Sequence, residues 1–182
     1  MRGLRGWDMH RRLVAAAFLL SMTALARPAR ADDLWMRSDS RWLAIVGGGA
    51  FDTQMPTDEE DLAPAYNLEL RFKPGLWYFH PHIGFQGTTD GMVYGYLGYH
   101  LDFPIGDHLR LVPSGSIGLY YQGDNEKDLG GLAEFRIGGG INWRFDNDWR
   151  VGVSWYHMSN AGIYELNAGA EMMFLELGIP LW

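Results

Sequence analysis

Residues 133–145 read Ala-Glu-Phe-Arg-Ile-Gly-Gly-Gly-Ile-Asn-Trp-Arg-Phe. Ala133, Phe135, Ile137, Ile141, Trp143 and Phe145 fall on one parity, and Glu134, Arg136, Asn142 and Arg144 on the other. Side chains of a strand alternate between faces, so this segment is a β-strand with one greasy face and one charged face. The split recurs where Tyr66, Leu68, Leu70 and Phe72 alternate with Asn67, Glu69 and Arg71. It returns near the C-terminus, where Met173, Leu175, Leu177, Ile179 and Leu181 share a face and Glu176 lies opposite. Extended outward, the same rule predicts strands at Trp42–Phe51, Ala65–Phe72, Leu76–Gln86, Met92–Phe103, His108–Gln122, Gly131–Phe145, Trp149–Asn160 and Ala168–Trp182. Eight antiparallel strands suit a closed barrel.

Alternation alone fits a soluble sandwich as well as a membrane barrel, because either can hold one apolar and one polar face. Other features favour a transmembrane β-barrel. The chain opens with Arg2, Arg5, Arg11 and Arg12, continues through the apolar run Leu13–Ala26, and places Ala29-Arg30-Ala31 before Asp32. That order is the pattern of an export signal, expected to span residues 1–31 and to be cleaved after Ala31, leaving residues 32–182 as the barrel domain. The 14-residue run is short of the ~20 residues a helix needs to cross a bilayer. Aromatics gather towards strand ends, as in Trp77-Tyr78-Phe79, Tyr120-Tyr121 and Trp155-Tyr156, and the chain ends on Trp182. Such residues form interfacial girdles on outer-membrane barrels. The destination is then the bacterial outer membrane.

Connection lengths set an expected orientation. Polar stretches 52–64, 87–91, 123–130 and 161–167 follow odd strands, while Lys73-Pro74-Gly75, Pro104–Asp107 and Asp146-Asn147-Asp148 follow even ones. Short turns belong in the periplasm and longer loops outside, which makes the last connection extracellular.

Charge and composition exclude several functions. Without residues 1–31 the chain holds nine Lys/Arg against 21 Asp/Glu, a net charge of −12, which is wrong for gripping nucleic-acid phosphates. No cysteine is present, so thiolate metal sites and cysteine nucleophiles are excluded and any nucleophile is an oxygen. His80 and His82 share the polar parity of their strand, where hydrogen bonding inside the barrel suits them better than a metal site without further ligands. Gly47-Gly48-Gly49 and Gly138-Gly139-Gly140 precede no helix and read as places of bending or close packing rather than phosphate loops. The acidic run 58–61 reads as a solvated loop, and Glu69, Arg71, Glu134, Arg136, Arg144, Arg150 and Glu176 as a charged filling of a narrow barrel.

One group of polar residues falls on the wrong face. Val151, Val153 and Trp155 lead by twos to His157 and Ser159, and Leu181 leads back by twos through Leu175 and Met173 to Glu171. All three should face lipid, where polar groups are costly away from the interface. A hairpin centred near Tyr164 would set Glu171 across from His157, with Cβ atoms about 5 Å apart. Serine as nucleophile, histidine as base and a carboxylate to orient the ring is an arrangement for acyl transfer. Spacing alone equally allows three interfacial polar residues without chemistry.

The segment His157-Met158-Ser159-Asn160-Ala161-Gly162, with Asn167 and Glu171 ten and fourteen residues after the histidine, closely resembles the motif of the PagL-type lipid A 3-O-deacylases. That resemblance implies an eight-stranded outer-membrane barrel that hydrolyses the ester-linked acyl chain at position 3 of lipid A. It implies Ser159 as nucleophile, His157 as general base, Glu171 as its partner, and Asn167 with the Gly162 amide, and Asn160 as a further option, as oxyanion donors. No metal or cofactor is expected. The implied partners are lipopolysaccharide in the outer leaflet and the membrane itself, with a homodimer left open. The competing readings are a non-catalytic structural or adhesive barrel and a soluble periplasmic barrel holding an apolar ligand.

Overall fold

The computed structural model describes residues 42–53, 63–74, 78–123 and 127–181. The expected export signal therefore lies outside the described residues, as does the acidic run 58–61. Among the described residues there are nine strands: β1 Trp42–Phe51, β2 Ala63–Arg71, β3 His80–Thr88, β4 Val93–His100, β5 Phe103–Ile105, β6 Leu109–Tyr121, β7 Ala133–Arg144, β8 Arg150–Ser159 and β9 Ala170–Leu181. All pairings are antiparallel between neighbours, β9 returns to β1, and β4 pairs with β6 to close the ring. The result is an eight-stranded barrel, as expected. The ninth strand, β5, pairs only with the start of β6.

That short strand continues the expected fourth strand, Met92–Phe103, on β6 in one register, from His100↔Ser114 to Phe103↔Leu111. Between β4 and β5, Leu101 and Asp102 lie outside regular strand, though Leu101 N–H still donates to Pro113 O at 3.0 Å. Asp102 is buried on the inward parity of Tyr94, Tyr96 and His100, with its carboxylate 2.8 Å from Arg150 Nη1. Residues 72–79 connect β2 to β3; Phe72 N–H donates to Pro81 O at 2.9 Å, and the centre of the expected turn, 75–77, lies outside the described residues. Close packing at the first glycine triplet is confirmed at Gly49, where an added Cβ would lie 1.8 Å from Met173 O of β9.

The barrel is polar inside and apolar outside. Val46, Leu68, Ile83, Leu97, Ile117, Ile137, Val153 and Leu175 are exposed, while Asn67, Glu69, Arg71, Gln86, Glu134, Arg136, Arg150 and Glu176 are buried. A water-soluble ligand carrier needs the reverse. Arg136 Nη2 binds Glu69 Oε2 at 3.0 Å, and its guanidinium lies 3.8 Å from the centre of the Tyr96 ring and 4.1 Å from that of Tyr156. Arg71 Nε binds the other oxygen of Glu69 at 2.6 Å, and Ser154 donates to Glu176 at 2.7 Å. Buried charges need such partners, and here they fill the lumen.

His80 and His82 lie in this filling, stacked with His100. His82 Nε2 is 2.8 Å from Ser116 Oγ. Among the described residues no group of His, Asp and Glu is arranged to hold a metal ion.

Candidate active site

The site is built at one rim from the end of β8, the start of β9 and the loop between them. Along β8, Arg150, Ser154, Tyr156 and Met158 are buried in the lumen, while Val153 and Trp155 are exposed. His157 and Ser159 continue the exposed parity and are half-buried. On β9, Glu171 stands on the same outer face as exposed Met173 and Leu175. The register pairs His157 directly with Glu171.

The pairing brings two side chains into contact. His157 Nδ1 lies 2.6 Å from Glu171 Oε1. An ionised carboxylate can only accept, so Nδ1 carries the proton and donates, which leaves Nε2 with its lone pair as the basic nitrogen. Ser159 is two residues along the same face, about 7 Å in Cα terms. Its neighbour on β7 is Phe135, and that of His157 is Ile137, so the site is flanked by apolar wall.

The loop after Ser159 is tied by Asn160, which is fully buried. Its Nδ2 donates to Leu129 O and Leu166 O, both at 2.7 Å, and its Oδ1 accepts from Gly162 N–H at 2.9 Å. Ala161 and Gly162 have φ of 54° and 76°, and Ile163 N–H donates back to Asn160 O at 3.1 Å, the pattern of a type I′ turn. Asn167 Oδ1 accepts the Asn160 backbone N–H at 3.1 Å. With that oxygen engaged, the group Asn167 can offer to a ligand is its amide NH2, a donor. Asn160, Gly162 and Asn167 thus share one hydrogen-bonded loop, but both amide hydrogens of Asn160 already go to carbonyls.

Sequence reasoning missed the ledge beneath this loop. Leu129, fully buried, belongs to the β6–β7 connection and supplies a carbonyl to Asn160. Tyr164 Oη accepts the Ala133 N–H at 3.2 Å, and its ring lies so near Gly131 that an added Cβ would stand 2.0 Å away. The available signal was one apolar residue and two glycines after the polar stretch 124–128. Gly169 was also missed, although it sits inside the motif between Asn167 and Glu171.

Fold and site together define a barrel of the outer-membrane type whose histidine–carboxylate pair stands on the wall rather than in the lumen. Residues 44–180 match the family model PagL, lipid A 3-O-deacylase, and the chain belongs to that family. A crystal structure of the outer-membrane enzyme PagL is similar with a TM-score of 0.60 and 21% identity, over 76% of this chain and 99% of that one. A de novo designed transmembrane β-barrel is similar with a TM-score of 0.52 and 12% identity, over 80% and 99%. No curated protein matches. At the level of the family, this is a lipid A deacylase of the outer membrane, as the motif led one to expect.

Proposed function

We propose that the chain is a serine esterase that removes the ester-linked acyl chain at position 3 of lipid A in lipopolysaccharide, using Ser159, His157 and Glu171. The 2.6 Å contact between His157 and Glu171, on the lipid face two residues from a serine, carries this reading. Ser159 Oγ attacks the ester carbonyl carbon while His157 Nε2 takes its proton. Glu171 keeps the ring in the tautomer that can do so and stabilises the imidazolium.

The carbonyl oxygen becomes an oxyanion, for which the Asn167 amide is the side-chain donor; Gly162 N–H, which donates to Asn160 Oδ1 at 2.9 Å, becomes the backbone donor by exchanging that bond for the oxyanion. Asn160 holds these two in place. Collapse breaks the bond to the sugar oxygen, which takes the proton from His157. Water then attacks the acyl-serine with His157 as base, releasing the fatty acid and restoring Ser159. No pore is needed, since an acyl chain of the outer leaflet lies along the wall.

The deciding experiment is mass spectrometry of lipid A from cells expressing the wild type or Ser159→Ala. Loss of one ester-linked acyl chain with the wild type alone is expected. Unchanged lipid A in both would leave a non-catalytic barrel. The reading also includes cleavage of the export signal after Ala31, which N-terminal sequencing of the membrane-inserted protein would locate at Asp32.

A further inference from the structure

Gly169 closes the β8–β9 loop with φ of 68° and is buried. The β8–β9 ladder ends at Met158 and Ala170, and one further step of its register sets Gly169 across from Ser159. Its parity is that of Glu171, the outer face. Ser159 therefore has an aromatic residue, Phe135, on one flank and no side chain on the other.

The space left by that missing side chain is occupied. A Cβ on Gly169 would stand 3.0 Å from His157 Cε1 and 3.6 Å from His157 Nε2. Carbon atoms in good contact sit about 3.5–4.0 Å apart, so the ring and a methyl group cannot both keep their places. Glu171 holds the ring at Nδ1, the atom bonded to Cε1, so a ring pushed at Cε1 turns about that hydrogen bond if it is to keep it. Such a turn moves Nε2, the atom that must meet the serine proton.

We propose that Gly169 is a positioning residue of the deacylation site: its bare backbone makes the room that the His157 ring needs with Nδ1 on Glu171. This inference rests on the serine–histidine–glutamate reading. A side chain at 169 tilts the base without touching the fold of the barrel wall. The positive φ alone does not explain the glycine, because asparagine tolerates that backbone region too.

Three variants separate contact from backbone strain. Gly169→Ala adds both, Gly169→Asn keeps the contact with less strain, and Gly106→Ala adds the strain alone, since Gly106 has φ of 66° and nothing within 4 Å of an added Cβ. The readouts, per folded barrel in detergent micelles, are kcat and KM on lipopolysaccharide, the rate of Ser159 labelling by a fluorophosphonate, and the low-field NMR signal of the His157 Nδ1 proton. Both Gly169 variants are expected to lose about 10- to 100-fold in kcat with little change in KM, to label more slowly and to shift that proton signal. Gly106→Ala is expected to match the wild type in all three. Wild-type kcat in either Gly169 variant overturns the proposal, as does recovery by asparagine of what alanine loses. Should alanine prevent folding, the asparagine variant decides, and failure of both to fold makes Gly169 structural and overturns the proposal as well. Ser159→Ala run beside them is expected to be inactive, and activity there would sink the triad reading instead.

Discussion

One serine–histidine neighbourhood in the lumen and one on the wall of the barrel invite comparison. In the lumen, His82 Nε2 lies 2.8 Å from Ser116 Oγ, with both residues buried. On the outer wall, Ser159 and His157 are half-buried, and the hydrogen bond that fixes the ring runs to Glu171. The inner pair has the tighter serine contact, yet its other ring nitrogen faces His100 Nδ1 at 3.3 Å rather than a carboxylate. A second imidazole can donate or accept, so it does not fix the tautomer as a carboxylate does, and the buried lumen keeps an ester away. A serine beside a histidine is common filling; a carboxylate behind the ring and a substrate in front of it make the difference.

The sharpest way to break this contrast is to delete each hydroxyl. Ser159→Ala is expected to cut deacylation by at least about 10³-fold, measured as acyl chain released from lipopolysaccharide in micelles. Glu171→Gln should follow closely, with a loss of about 10³- to 10⁴-fold in kcat, because the amide can hold the ring in the wrong tautomer. Asn167→Ala removes one oxyanion donor and is expected to cost about 10²- to 10³-fold in the same assay. Ser116→Ala should leave activity within about twofold, since its hydroxyl belongs to the filling.

A different measurement sharpens the same comparison. Glu69 bridges Arg71 and Arg136 in the lumen, so Glu69→Gln leaves buried guanidinium groups short of their counter-charge. A loss of about 3–5 kcal/mol in reversible unfolding by guanidinium is expected, while the barrels that remain folded keep their kcat. A fall in kcat per folded barrel equal to that of Glu171→Gln would erase the distinction between filling and machinery.

The wall was legible because period two is all that a strand needs to sort its faces. Glu69, Arg136 and Glu176 could be placed inside, and His157, Ser159 and Glu171 outside, by counting in twos. The contact of His157 with Glu171 followed from one hairpin register. What counting cannot see is contact between loops. Asn160 carries no parity signal for its bonds to Leu129 and Leu166, which depend on two connections meeting in space. The pairing of Asp102 with Arg150 was hidden for the same reason, since the two are distant in the chain. Gly169 was visible as a letter in the motif, but its meaning lies in the ring of His157 beside it.

A lumen packed with ion pairs leaves the enzyme one open side, the bilayer around it. On the proposed reading, substrate then arrives by sliding within a sheet of neighbours, and turnover answers to how crowded that sheet is with lipid A rather than to any bulk concentration. Both products depart into the same sheet, where fatty acid accumulates around the barrel at the pace that lateral mixing allows.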